Sequence, residues 1–182
     1  MNTQLQGWLP HIRRCPSPNY DERPENTNIE LLVIHNISLP PGQFGGGCIE
    51  DFFLNKLSSD QHPYFQEISH LQVSAHFLID RNGKITQFVP VHKRAWHAGK
   101  SDFHGRQRCN DFSIGIELEG TDHIPYTEAQ YRELTKLTIE LMHRYPGIRK
   151  DRITGHQHIA PERKTDPGDA FDWQYYFSLL EQ

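Results

Sequence analysis

The stretch LQVSAHFLIDRNGKITQFV, residues 71–89, decides the fold class. Its two halves, LQVSAHFLID (71–80) and KITQFV (84–89), both read as strands, and Arg81-Asn82-Gly83 stands between them. Asn-Gly supplies the positive φ angles of a tight hairpin turn, so the two strands should pair antiparallel. Downstream, FSIGIELEG (112–120) alternates, with Phe112, Ile114, Ile116 and Leu118 on one face and Ser113, Gly115, Glu117 and Glu119 on the other. Upstream, LLVIH (31–35) is a short apolar run of strand type that opens into the Pro/Gly loop NISLPPGQFGGG. RITGH (152–156) reads as a further short strand before a long polar loop.

Helices fill the intervals. Ile49, Phe52, Phe53 and Leu57 have helical spacing. In YTEAQYRELTKLTIELMHRY (126–145), Thr127 and Gln130 form a capping box, and Tyr131, Leu134, Leu137, Thr138, Leu141, Met142 and Tyr145 share one stripe. Pro146-Gly147 should stop this helix. Trp173, Tyr176, Phe177 and Leu180 mark a last one. These elements predict an α/β (α+β) fold, a single domain with a central mixed β-sheet flanked by helices. Residues 1–28 lack periodicity and are rich in Pro, Asn and Arg, so they are expected to form an arm packed on a domain of residues 29–182.

The chain has 182 residues, 36% hydrophobic and 23% charged, which suits one globular domain. A formal net charge of −4 gives no electrostatic case for a nucleic-acid partner. No apolar run approaches the ~20 residues of a membrane span. The N-terminal MNTQLQGWLPHIRRCPSP lacks the apolar core of a secretory signal, so a cytoplasmic protein is expected, and a monomer. Cys15, Cys48 and Cys109 are odd in number and form no CxxC pair, which argues for reduced thiols rather than a disulfide framework or a cysteine zinc finger. GGGC (45–48) follows no strand and lacks nucleotide-binding spacing.

Twelve histidines hint at metal or proton chemistry. The loop TGHQHIAPERKTDPG holds His156, Lys164 and Asp166 within eleven residues. A catalytic zinc commonly takes two histidines and a carboxylate and leaves a position for water, although a polar loop can carry such residues merely solvated. His158, the loop's second histidine, reads as exposed or as a hydrogen-bond partner. His35 ends a buried strand, which suits either a ligand or an ordinary hydrogen-bonded histidine. Glu117 is a candidate general base if its sheet face is covered, and a solvated strand glutamate if that face is bare. No HExxH string of an unrelated zinc protease occurs.

Taken in order, VIHNIS, SAHFLIDRNGKITQFV, RAWHAG, SIGIELEG and TGHQHIAPERKTDPG resemble the N-acetylmuramoyl-L-alanine amidase type 2 family, which includes the peptidoglycan recognition proteins. The longer matches, VIHNISLPPGQFGG and RCNDFSIGIELEGTD, resemble its cytoplasmic branch, which acts on 1,6-anhydro-N-acetylmuramoyl-L-alanine in peptidoglycan recycling. The likeness runs from about Gly7 to about Trp173. It implies zinc held by His35, His156 and Asp166, catalytic roles for Glu117 and Lys164, and a small muropeptide as substrate. It further implies that Asn36, Tyr64, Ala95, Trp96 and His97 line the substrate groove; His76 and His97 match family histidines and read either as standing behind the ligands or as structural. Arg106 and Arg108 are candidate clamps for stem-peptide carboxylates, since guanidinium pairs bidentately with carboxylate. Gln72 departs from the branch, where a basic residue is expected, which puts part of the peptide recognition in doubt.

Overall fold

Ser113–Glu119 forms the central strand, and all seven of its residues are buried. The alternation read from the sequence is therefore not core against solvent, because both faces of the strand are covered. The structure, a computed structural model, describes residues 6–181. In chain order its strands are β1 (Arg13–Arg14), β2 (Tyr20–Asp21), β3 (Leu31–Ile37), β4 (Phe77–Ile79), β5 (Ile85–Gln87), β6 (Arg94–Ala95), β7 (Asp102–Phe103), β8 (Arg106–Gln107), β9 (Ser113–Glu119) and β10 (Ile153–Gly155). Its α-helices are α1 (Cys48–Phe53), α2 (Pro63–Ile68), α3 (Glu128–Arg144), α4 (His156–Ile159) and α5 (Trp173–Leu179). Among the described residues the main sheet runs β1-β5-β4-β9-β3-β10, with only β4 and β5 antiparallel. This is the expected mixed α/β sheet.

The hairpin forms as predicted, with Phe77 opposite Gln87 and Ile79 opposite Ile85. Its turn is the three-residue kind: Asp80 and Lys84 close it, Gly83 takes φ +83°, and the Asp80 carboxylate accepts from the amides of Asn82 and Lys84. The first half of the predicted strand, 71–76, stays outside the regular ladder. Its amides are used elsewhere, Ser74 N donating to Trp96 O and His76 N to Gly115 O.

The two sheet faces have different coats. Ile114, Ile116 and Leu118 pack with Leu32, Ile34, Phe77 and Ile79 against Leu134, Leu137, Leu141 and Tyr176 of α3 and α5. The capping box of α3 forms as read, Thr127 with Gln130. The Gln130 side chain is fully buried and donates to Ile79 O and Glu119 O, tying the helix start to the ends of β4 and β9. On the other face, α1 and α2 pack Phe52, Phe53, Phe65 and Ile68 against Leu78 and Phe88. Among the described residues no helix is long and apolar enough to cross a membrane.

Residues 6–28 of the arm are tied in by strand pairing, β1 to the main sheet and β2 to a separate two-stranded sheet. β1 pairs with β5 in parallel and β2 pairs with β6 antiparallel. Arg23 enters the interior and donates to four carbonyls, those of Asn110, Asp111, Val91 and Ser113, at 2.8–3.2 Å. Burial lowers its pKa only to about 10, so it stays charged at neutral pH. Arg23→Ala leaves these acceptors without their donor and is expected to cost about 2–4 kcal/mol, read as a lower urea midpoint. Unchanged stability would show that the arm is only laid on the surface. Lysine offers one ammonium where two guanidinium nitrogens reach the four carbonyls, so Arg23→Lys should recover only part of the loss.

Candidate metal centre and cleft

Parallel strands present their C-terminal ends on one edge, where ligands of such sheets gather. β3, β9 and β10 are mutually parallel, and three of the predicted residues sit at that edge. His35 is the fifth residue of β3, and it stands in register with Glu117 of β9. His156 follows the last residue of β10. Asp166 arrives on the loop after α4, which is pinned back by Gln157 N donating to Asp166 O at 2.8 Å.

The three side chains meet. His35 Nδ1, His156 Nδ1 and Asp166 Oδ2 form a triangle with edges of 3.0, 3.0 and 3.1 Å. His35 and His156 are buried and Asp166 nearly so. Each ring has a partner for its other nitrogen. His156 Nε2 lies 3.0 Å from Ala98 O, which can only accept, so Nε2 carries a proton and Nδ1 is the nitrogen turned toward the triangle, the one that could bind a metal. His35 Nε2 lies 2.9 Å from His97 Nδ1, and His97 Nε2 lies 3.1 Å from Ser113 Oγ. With each ring donating outward along this chain, His35 Nδ1 is bare. Burial drives the His35 pKa down to about 4, against the pull of the Asp166 carboxylate, and takes His97 well below the usual histidine value. Both rings are then neutral at pH 7.

Two imidazole nitrogens and a carboxylate oxygen therefore converge on one point, as the ligands of a cation do. The donor set is that of zinc, and a tetrahedral ion with bonds of about 2.0–2.1 Å spaces its ligands about 3.3 Å apart, close to the observed edges. The residues present fit such an ion.

The triangle opens on a cleft of about 360 Å³. Glu117 lines it beside Lys164, Tyr64, Trp96, His97 and Asn36. Glu117 Oε2 is buried and has no hydrogen-bond partner among the described residues. Burial, reinforced by the charge of Asp166 and opposed by Lys164, raises the Glu117 pKa well above 4.5. Of the two sequence readings, the covered face is the one found. Lys164 is half-buried, and among the described residues its ammonium makes no hydrogen bond or ion pair, with Glu162 and Asp169 not engaging it. Gly115 is small for a reason: a Cβ there would fall 2.5 Å from the His97 ring.

Other predicted contacts lie elsewhere. Arg106, on β8, pairs with Glu30 and stacks 3.8 Å over Phe112, while Arg108 pairs with Asp111 at 3.2 Å. Glu30 precedes β3, whereas His35 is five residues along it, about 16 Å at strand rise. Arg106 is thus held at the opposite end of the strand, and neither arginine lines the cleft. Ala95 is fully buried in the α1–α2 core rather than on the cleft wall. The Asn36 amide donates to Asp122 and to Pro167 O, so both its hydrogens are used within the protein. His76 is buried, its Nε2 donating to Lys93 O and its Nδ1 accepting from Gly115 N. His158 is exposed and outside the triangle. Gln72 is exposed and absent from the cleft lining. Sequence reading missed the apolar wall made by Phe52, Phe53, Ile68, Leu71 and Val73. Helical spacing placed Phe52 and Phe53 on a helix, but nothing local distinguishes a core face from a cleft face.

A mixed sheet with two histidines and a carboxylate gathered at its strand ends matches one family throughout. The model described as N-acetylmuramoyl-L-alanine amidase matches residues 25–169, and the chain belongs to that family of amide hydrolases. The resemblance read from the sequence is borne out. The 1,6-anhydro-N-acetylmuramyl-L-alanine amidase AmpD of Escherichia coli K12 is 58% identical over 177 residues, 97% of this chain and 96% of the relative. That of Haemophilus influenzae is 57% identical over 176 residues, again 97% and 96%. A crystal structure of a selenomethionine AmpD derivative superposes with a TM-score of 0.93 at 58% identity, covering 96% of this chain and 97% of that one. The amidase AmiD of E. coli, solved with the substrate anhydro-N-acetylmuramic acid-L-Ala-D-gamma-Glu-L-Lys, gives a TM-score of 0.60 at 30% identity, covering 88% and 65%.

Proposed function

We propose that this protein is a zinc amidase that hydrolyses the bond between the lactyl group of 1,6-anhydro-N-acetylmuramic acid and L-alanine of the stem peptide, on soluble fragments in cytoplasmic peptidoglycan recycling. The observation that carries the reading is the triangle of His35, His156 and Asp166, facing a cleft beside an unpartnered Glu117 oxygen. High identity over nearly the full length of relatives named for the anhydro substrate supports the bond chosen. Three free cysteines are in keeping with a reducing compartment.

His35, His156 and Asp166 would hold the ion, which when bound polarises a carbonyl and lowers the pKa of a water molecule. Glu117 takes the proton of the attacking water and returns it to the departing alanine amine, for which a carboxylate with a raised pKa is suited. Lys164 offsets the negative charge that develops on the carbonyl oxygen. Tyr64, Trp96 and His97 bound the cleft in which the muropeptide would lie, and Phe52, Phe53, Ile68, Leu71 and Val73 give it an apolar wall.

Metal analysis of the purified protein should give one zinc per chain, and Asp166→Ala should lose it. Full zinc and full activity in that variant would remove the ligand assignment. A comparison of substrates checks the second half of the reading. Free anhydromuropeptide should be cleaved much faster than polymeric peptidoglycan, and equal rates would count against a soluble substrate.

A further inference from the structure

The metal ligands come from separate parts of the chain, His35 from a strand and Asp166 from a loop, so something must fix one against the other. Asp122, in the turn between β9 and α3, touches none of the three ligands yet bridges the residues beside two of them. Its Oδ1 accepts from Asn36 Nδ2 at 2.8 Å, next to His35. Its Oδ2 accepts from Thr165 Oγ1 at 2.5 Å, between Lys164 and Asp166. Its backbone carbonyl accepts from Ala170 N at 2.8 Å, beyond the loop.

The loop is shaped around this residue. Gly168 takes φ +79°, and a Cβ on it would lie 2.2 Å from Asp122 Cα, so only glycine lets the two backbones meet. Pro167 O accepts from Asn36 Nδ2 at 3.1 Å and from Tyr126 OH at 2.8 Å, which fastens the same loop to β3 and to the residue before the α3 cap. A carboxylate that joins two chain segments by charge-assisted hydrogen bonds holds them more tightly than a neutral group would.

We propose that Asp122 is a positioning residue of the metal centre: through Asn36 and Thr165 it fixes the Lys164–Asp166 segment against the end of β3. It acts through its neighbours and contacts neither ion nor substrate. The inference rests on the zinc reading above. Loss of a group that orients metal ligands typically lowers metal affinity by about 10–100-fold, and that is the loss expected for Asp122→Ala. Thr165→Val, which removes one arm of the bridge, should lose part of it. The double variant should be no worse than Asp122→Ala alone, because both changes break one linkage. Asp122→Asn keeps an acceptor for one partner and should retain intermediate affinity. At saturating zinc kcat should fall while KM moves less than about twofold, since a displaced Lys164 weakens the transition state rather than substrate binding.

The experiment is competition titration of zinc against a chromophoric chelator for the full chain and for Asp122→Ala, Asp122→Asn, Thr165→Val, the double variant and Asp166→Ala. If Asp166→Ala keeps wild-type affinity, the metal reading itself fails. If Asp166→Ala loses zinc while Asp122→Ala and Thr165→Val bind it as the wild type does, Asp122 does not position the centre. Strictly additive losses in the double variant would also overturn the linkage. Should Asp122→Ala not fold, the Asn and Val variants carry the same comparison.

Discussion

Glu117→Gln is expected to keep the fold and the zinc while lowering kcat by roughly 10²–10⁴-fold. The amide is nearly isosteric with the carboxylate but cannot accept the proton of an attacking water. Glu117 is suited to the task because β9 lies between β4 and β3, with both faces covered, and because one carboxylate oxygen has no partner among the described residues. Burial and the nearby Asp166 raise its pKa well above 4.5. A general base acts only when it has lost its proton, so the rate should rise with pH as Glu117 deprotonates, and the variant should lack that limb. Stability supplies a second sign. A carboxyl whose folded pKa is raised favours the folded state at pH below its unfolded value and loses that contribution as pH rises through the folded value. The metal-free wild type should therefore be less stable at neutral pH than Glu117→Gln, and Tm should increase on substitution. Near-normal turnover in the variant would mean that another group takes the proton.

Lys164→Ala should lower kcat by roughly 10²–10³-fold with KM little changed and zinc content intact. Its ammonium lines the same cleft as Glu117 and has no partner among the described residues, so it is not held by a surface ion pair. Its backbone amide donates to Ala160 O at 2.9 Å, and Asp166 two residues on is fixed by the ligand triangle, so the side chain starts from a constrained segment. An interaction made mainly with charge that develops in the transition state shows in kcat rather than in KM. Lys164→Arg should restore part of the charge effect but not the geometry. If Lys164→Ala keeps kcat and only raises KM, the residue grips the peptide instead.

Much of this was legible before any coordinates. The antiparallel pairing across Asn82-Gly83, the Thr127–Gln130 box and the stripe from Tyr131 to Leu141 follow from local signals, and each forms, although only Gly83 of the turn pair takes a positive φ. The three residues that meet at the triangle are those that the family resemblance named. What the sequence left open depends on partners distant along the chain. The alternation of β9 could not say whether Glu117 faced water, because that depends on residues distant along the chain, His35 in parallel register and Lys164 and Asp166 across the cleft. β1 is two exposed residues, Arg13 and Arg14, without strand character of their own; pairing with β5 alone makes them a strand. Arg106 and Arg108 carry the right chemistry for a clamp, but the β7–β8 hairpin turns them toward Glu30 and Asp111, away from the ligand end of β3. Side-chain type survives in a sequence where side-chain position does not.

The central claim concerns which bond is cut and by what centre. Mass spectrometry of the products from a defined anhydro-N-acetylmuramyl tripeptide, incubated with the zinc-loaded protein and with the chelated protein, tests it directly. The account predicts free anhydro-N-acetylmuramic acid and an intact tripeptide with a new L-alanine amine, formed by the loaded protein and lost on chelation. Cleavage within the peptide or the sugar, or the same products at the same rate without metal, would contradict it.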